Sequence, residues 1–397
     1  MRTTTLVFRV ILYIVFSLAV LAGTGVLFWP AALASPQAEP AASDSSRSAA
    51  GGEATPVEGA DALVSMAEDR LHAQDFTGAK QAAVELTERY PDYLKGWMLL
   101  GYCRSLTDDF AGSNAAYQRA LDLGAEPKVI HSRQAYNHIR LGAYEEARKS
   151  CRLAVELDPK DPEALEQLGY VESKLGDYDA AAKYYRRALE ALPDDTDLMI
   201  ALARIEAKRG RNGSVKELLE KALLLDPDNP EVLGKLGVIY MKEKNYPEAL
   251  DLLTKLVAIE PDNAKGQRNL AATYYHLGDK KNALDRFEKA MALNGDVNGD
   301  MDDLYGPLAD CYLASGKKAE ALEVIGQGLD KGVQQAWLYS LWGKILEDSK
   351  DYDGAIEKFS EAVRLQEEPW SDYAEKQIAR QSELKKRERM MAGQIGE

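Results

Sequence analysis

An all-α solenoid is the fold class that this 397-residue sequence predicts, and three regularities predict it. Proline recurs at Pro159, Pro193, Pro227 and Pro261, 34 residues apart, with Pro91 two such periods before Pro159. Small residues recur in the same register. With position 1 of each unit at residues 60, 94, 128, 162, 196, 230 and 264, position 8 is Gly101, Ala135, Gly169, Ala203, Gly237 and Ala271. Position 20 is Ala79, Ala147, Ala181, Ala249 and Ala283, and position 24 supplies the bulky Tyr117, Tyr185, Leu219, Leu253 and Phe287. Residues four apart share one face of a helix, so small and bulky side chains lie one turn apart. One repeat of this length cannot bury its apolar face, whereas a stack of them can.

Taken in order, the first element is an export signal over residues 1–34. Arg2 and Arg9 precede an uncharged stretch from Val10 to Trp29, and Pro30 introduces Ala32-Leu33-Ala34 before Ser35. Basic, apolar, breaker and small-x-small is the order of a secretory signal. The stretch is also long enough, at about 1.5 Å per residue, to span a hydrocarbon core of about 30 Å. A cleaved signal and a retained signal-anchor both fit, the second giving membrane association through residues 10–29. Either places the rest of the chain outside the cytoplasm, periplasmic or held at an inner membrane facing the periplasm. Residues 35–59 follow, rich in Ala, Ser, Pro and Gly without apolar periodicity, and predict a disordered linker.

Nine units then occupy residues 60–369, the last two starting at 302 and 336 after a four-residue slip. They keep the register through Ala309, Ala321 and Ile325, then Gly343, Ala355 and Phe359. Gly142, Gly176, Gly210, Gly278 and Gly316, all at position 15, suit the left-handed residue that ends a helix. Asp158-Pro159-Lys160-Asp161-Pro162 and Asp226-Pro227-Asp228-Asn229-Pro230 supply a turn, a capping side chain and a proline for the first helical position. Residues 370–397 begin with a polar helix carrying Trp370, Tyr373, Ala374 and Ile378 on one face, a terminal cap.

The period and the segments Trp97-Met98-Leu99-Leu100-Gly101, Leu233 to Leu236-Gly237 to Tyr240, and Ala355 to Phe359 resemble the tetratricopeptide repeat. The resemblance covers all nine units. It departs where Arg70 and Arg104 replace the aromatic at position 11, where Ser113 and Val215 replace Ala at position 20, and where the last three units lack the proline. It implies a right-handed superhelical solenoid of helix-turn-helix units with a capping helix, and a protein-binding scaffold rather than an enzyme.

Composition agrees with a scaffold. A net charge of −15 argues against a nucleic-acid partner, because phosphate binding needs a basic surface. His72, His131, His138 and His276 pair with no nucleophile, and Cys103, Cys151 and Cys311 fall at helical core positions. No cofactor is implied apart from calcium at one loop. Asp296, Asn298 and Asp300 alternate in Asn294-Gly295-Asp296-Val297-Asn298-Gly299-Asp300, which resembles the calcium loops of dockerin and EF-hand proteins. Met301 stands where the turn glycine belongs and Pro307 where the bidentate acid belongs, and a solvated turn uses the same residue types for their backbone preferences.

In tetratricopeptide arrays the first helix of each unit lines the concave surface, and ligand contacts come from positions 2, 5, 9, 12 and 13. Carried over, that rule puts Tyr102, Tyr136 and Tyr170 and then Arg204 at position 9, and Arg140, Lys174, Lys208 and Lys242 at position 13. Arg268 joins them at position 5 of the seventh unit. Tyrosine and arginine are favoured binding anchors. The expectation is a partner protein or peptide with acidic groups, held in the groove for secretion or assembly of an envelope complex. The alternative is a polysaccharide-binding part of an export machine, with tyrosines and cations on an anionic polymer. Outward cations that serve only solubility and ion pairs to Glu163, Glu166 and Glu231 would give the same run.

Overall fold

The computed structural model describes residues 56–293 and 304–394. The export signal, the linker through residue 55 and the Asp296, Asn298 and Asp300 loop lie outside the described residues. Within them all regular structure is helical, and no helix is long and apolar enough to cross a membrane.

Nine helix pairs follow one another: α1 (Pro56–His72) and α2 (Phe76–Arg89), α3 (Leu94–Leu106) and α4 (Phe110–Asp122), α5 (Pro127–Arg140) and α6 (Tyr144–Leu157). Next come α7 (Pro162–Lys174) and α8 (Tyr178–Ala191), α9 (Thr196–Lys208) and α10 (Asn212–Leu225), α11 (Pro230–Lys242) and α12 (Tyr246–Ile259). The series ends with α13 (Ala264–His276) and α14 (Lys280–Leu293), α15 (Tyr305–Ala314) and α16 (Lys318–Asp330), α17 (Ala336–Asp348) and α18 (Tyr352–Arg364), then α19 (Trp370–Gln394). Each helix packs on its chain neighbours, the arrangement of an all-α solenoid.

The small residues at position 8 are where the paired helices touch. A Cβ on Gly101 would sit 2.6 Å from Tyr117 Cε1, one on Gly237 would sit 2.7 Å from Leu253 Cγ, and one on Gly343 would sit 2.8 Å from Phe359 Cε1. The bulky residue at position 24 therefore lies directly on the bare backbone at position 8, and close packing requires it to. Position 15 is left-handed in every unit, with φ of 60° at Gln74, 58° at Asp108, 60° at Lys244 and 61° at Lys350 as well as at the five glycines. The second helix of a unit is capped by the next residue where that residue is Asp: Asp75, Asp109, Asp177 and Asp351 each accept from the backbone N–H three residues on. Asp161, Asp195, Asn229 and Asn263 cap first helices in the same way.

Position 11 is more varied than the aromatic pattern suggests. Arg70 and Arg104, which replace the aromatic in the first two units, donate to the carbonyls of Gly78 and Gly112 at 2.8 and 3.0 Å and tie one helix to its partner. In the fourth and fifth units position 11 is a buried acid. Glu172 meets Arg148 at 3.2 Å and Arg152 at 3.3 Å, both from α6 of the unit before. Glu206 meets Arg186 of α8 and Arg209 at 2.9 Å. At the far end, Trp370 of α19 stacks on Trp337 with ring centroids 5.3 Å apart, and Ala374 is buried against Phe359 and its neighbours. The capping face read from the sequence is the face that packs.

Candidate functional site

The first helices carry the candidate groove residues, and the structure divides them into two groups. In the third and fourth units the aromatic and basic side chains engage each other. Arg140 donates to the Tyr136 hydroxyl at 2.7 Å and to Asp108 at 3.2 Å, and its guanidinium lies 4.9 Å from the Phe110 ring centroid. Lys174 lies 5.2 Å over the Tyr170 ring. Tyr102 is half-buried, and burial pushes its hydroxyl pKa up. Tyr136 with Arg140 and Tyr170 with Lys174 are pairs one helical turn apart, and Arg140 also reaches Asp108 and Phe110 of the preceding unit.

Acids occupy position 2 and the adjoining cap in the fourth and fifth units, and position 5 in the fourth. Burial, then the charges of Asp195, Asp197 and Glu163, push the Glu166 carboxyl up to about 7. Asp197 is also raised, by burial first and then by Asp195 and Glu231.

From the fifth to the seventh unit the same surface opens into a cleft of about 700 Å³ between α9, α11 and α13. Its floor is made of Ala203, Ala207, Gly234, Val238, Leu256 and Gly266. Two departures from the repeat make the room. Position 5 is Met98, Ser132, Glu166, Ile200 and Arg268 in the second to fifth and seventh units and glycine in the sixth and eighth; a Cβ on Gly306 would meet Trp337 at 2.7 Å, whereas one on Gly234 would meet only Leu256 Cδ2, at 3.4 Å. Position 20 of the fifth unit is Val215 rather than Ala, and a larger side chain at a helix contact sets the axes further apart.

The rim is charged. Arg204 is held bidentate by Glu231 at 2.9 and 2.8 Å, and Lys235 reaches the same carboxylate at 3.5 Å. Lys216 pairs with Glu243 at 2.6 Å and lies 4.5 Å over the Tyr240 ring. Lys242 and Lys265 complete the rim, giving the lining more cations than carboxylates. Of the residues singled out in the sequence, Arg204 and Lys242 share this cleft. Lys208 is exposed outside it, and Arg268, also outside, donates to Asn269 at 3.3 Å. Sequence reasoning missed Gly234, Ala207, Val238 and Lys265. All four lie at positions that the family rule names, Lys265 at 2, Gly234 at 5, Val238 at 9 and Ala207 at 12, but only the tyrosines and cations at positions 9 and 13, and Arg268, stood out.

An aliphatic floor with a cationic rim suits apolar side chains flanked by acidic groups. The side chains that could do covalent chemistry lie elsewhere. Burial pushes the thiols of Cys103, Cys151 and Cys311 up to about 12. His276 stacks on Tyr246 with centroids 4.8 Å apart, and burial lowers His138. Among the described residues, no group of three or more His, Cys, Asp or Glu could hold a metal ion.

Family models described as tetratricopeptide repeat match residues 107–162, 150–183, 174–239, 206–274 and 240–298. No curated protein matches. Among solved structures, a tetratricopeptide repeat protein of Parabacteroides merdae is 20% identical over 64% of this chain and 99% of its own, with a TM-score of 0.42. PilF of Pseudomonas aeruginosa is 23% identical over 54% of this chain and 97% of its own, at 0.45. YrrB, described as a tetratricopeptide repeat protein with an unusual peptide-binding site, is 22% identical over 46% and 94%, at 0.41. None of these likenesses bears on what this chain binds. The matched residues lie within the array of 34-residue helix pairs with a left-handed position 15, and the chain belongs to the tetratricopeptide repeat proteins.

Proposed function

We propose that this chain is a non-enzymatic scaffold of the cell envelope, exported by its N-terminal signal, that holds a partner protein in the cleft between α9, α11 and α13. The observation that carries the reading is the apolar floor opened by Gly234 beneath a rim of Lys235, Lys242 and Lys265. A cavity of about 700 Å³ takes two or three side chains, the scale on which interface anchors work. Its walls are helices, so the shape is set before the partner arrives and little ordering cost falls on the scaffold. The rim selects a segment in which acidic residues flank aliphatic ones. The acids of the fourth unit, Glu163 and Glu166, repel that segment and fix its direction.

The test is a photoreactive residue at Val238, with a control at Arg187 on α8, in cells that make the full chain. One partner captured from Val238 and not from Arg187, and lost in Gly234→Phe with circular dichroism unchanged, is the expected result. Equal capture from both sites, or capture indifferent to Gly234→Phe, overturns it. N-terminal sequencing of the exported chain tests the setting, with cleavage after Ala34 or retention at a membrane as the two outcomes that fit.

A further inference from the structure

A second surface has exposed aliphatics that do not line the cleft and are bordered mainly by acids. The second helices of the third to sixth units end in exposed aliphatics: Leu157 on α6, Leu192 just after α8, Leu225 on α10 and Ile259 on α12, with Leu224 beside them 82% exposed. All four lie where one unit turns into the next, so they mark one edge of the array. Each step is flanked by exposed acids, among them Glu156, Glu190, Asp194, Asp228 and Glu260. Aliphatic steps of this size gain by leaving water. Their acidic borders limit what can cover them.

The complement is present on the same chain. The first half of α19 packs on α17 and α18, and Lys385, paired with Asp353, is the last side chain that reaches back to the array. From Lys386 to Met391 every residue is exposed, which at about 1.5 Å per residue is roughly 9 Å of projecting helix. It carries Lys386, Arg389 and Arg387, the last paired with Glu383 at 3.2 Å, against the single acid Glu388, and it presents Met390 and Met391 at 69% and 64% exposure. Methionine adapts to irregular apolar surfaces, and the cations match the acidic borders.

We propose that the projecting end of α19 docks on the acidic aliphatic edge of a second copy of this chain, so that copies associate tail to edge. The contact is heterologous: each copy offers a tail to one neighbour and an edge to another, and it builds a ring if the rotation closes and an open chain if it does not. Screening of its ionic part makes the association fall with salt.

The experiment puts a photoreactive residue at Leu224, and separately at Leu157, in the full chain made in cells. The expected product has at least twice the chain mass, and mass spectrometry joins the edge to a peptide containing residues 386–391. Replacing Lys386, Arg387 and Arg389 by Glu, all exposed and outside the array contacts, lowers that product about tenfold. Adding Asp194→Lys and Asp228→Lys to that triple variant restores it. No product of doubled mass, a product that ignores the charge reversal, or crosslinks to other proteins alone overturns the proposal. Because Val238 and Leu224 report different surfaces, failure here leaves the cleft reading standing, and the reverse holds too.

Discussion

The third and fourth units and the fifth to seventh units share one repeat pattern yet present different groove surfaces. In the former, Tyr136 with Arg140 and Tyr170 with Lys174 close on themselves within a helix. In the latter, Val238 and Gly234 stand at the equivalent and neighbouring positions, and a cleft remains. A run of binding-prone residue types therefore does not locate a binding site. Partners already found within the fold reduce what is left for a ligand, and absent side chains matter as much as present ones.

The largest effect is expected at the joint between the two regions. Glu206 of α9 is fully buried against Arg186 of α8 and Arg209, so Glu206→Ala leaves Arg186 without its acid and Arg209 with Asp179 alone. A loss of about 2–3 kcal/mol in urea unfolding is expected, below the full cost of breaking a buried pair because the Arg186 side chain is half-exposed. A loss under 0.5 kcal/mol, on the order of an exposed ion pair, would show that the two regions are not keyed together there.

Next come two identical substitutions with opposite signs. Gly101→Ala drives a methyl into Tyr117 and is expected to destabilise by about 1–2 kcal/mol even after the gain in helix propensity. Gly234→Ala meets only ordinary contact with Leu256 and is expected to stabilise by about 0.5–1 kcal/mol. Equal effects at the two sites would mean that the cleft is not open space. Lys244→Gly sharpens the same point in the backbone. Relief of a left-handed lysine, less the entropy of a freer unfolded chain, is expected to add about 0.5–1 kcal/mol.

The smallest effect is expected at the acids of the fourth unit, because Glu166 is exposed and solvent screens most of its shift. Because the Glu166 pKa is raised to about 7 from 4.5 in the fold, its favourable contribution is complete below the unfolded value and is lost as pH rises through the folded one. Stability should fall between about pH 5 and about pH 8, and Glu166→Gln should flatten that fall. An unchanged slope in urea midpoints against pH would remove Glu166 from the account.

The fold was legible because its information is repeated. Helix spacing, caps and the left-handed position 15 are local demands restated in each unit, so Gln74, Asp108, Lys244 and Lys350 take that conformation without being glycine. Glu172 and Glu206 were not legible, since a glutamate in a charged helix reads as solvated and Arg148, Arg152 and Arg186, which meet them, belong to the preceding unit. The cleft was only partly legible. Arg204 and Lys242 stand out as residues, whereas the hollow between them is a property of three helices together.

Cys103, Cys151 and Cys311 lie in α3, α6 and α15, each wholly shielded and each with a thiol that stays protonated at neutral pH. Exchange with an external disulfide needs a thiolate in contact with solvent, so modification of the native chain must wait for the surrounding helices to part. Labelling at each sulfur thus becomes a clock for the second, third and eighth units separately. It would reveal whether the array opens from its ends or breathes in the middle, with no probe added to the protein.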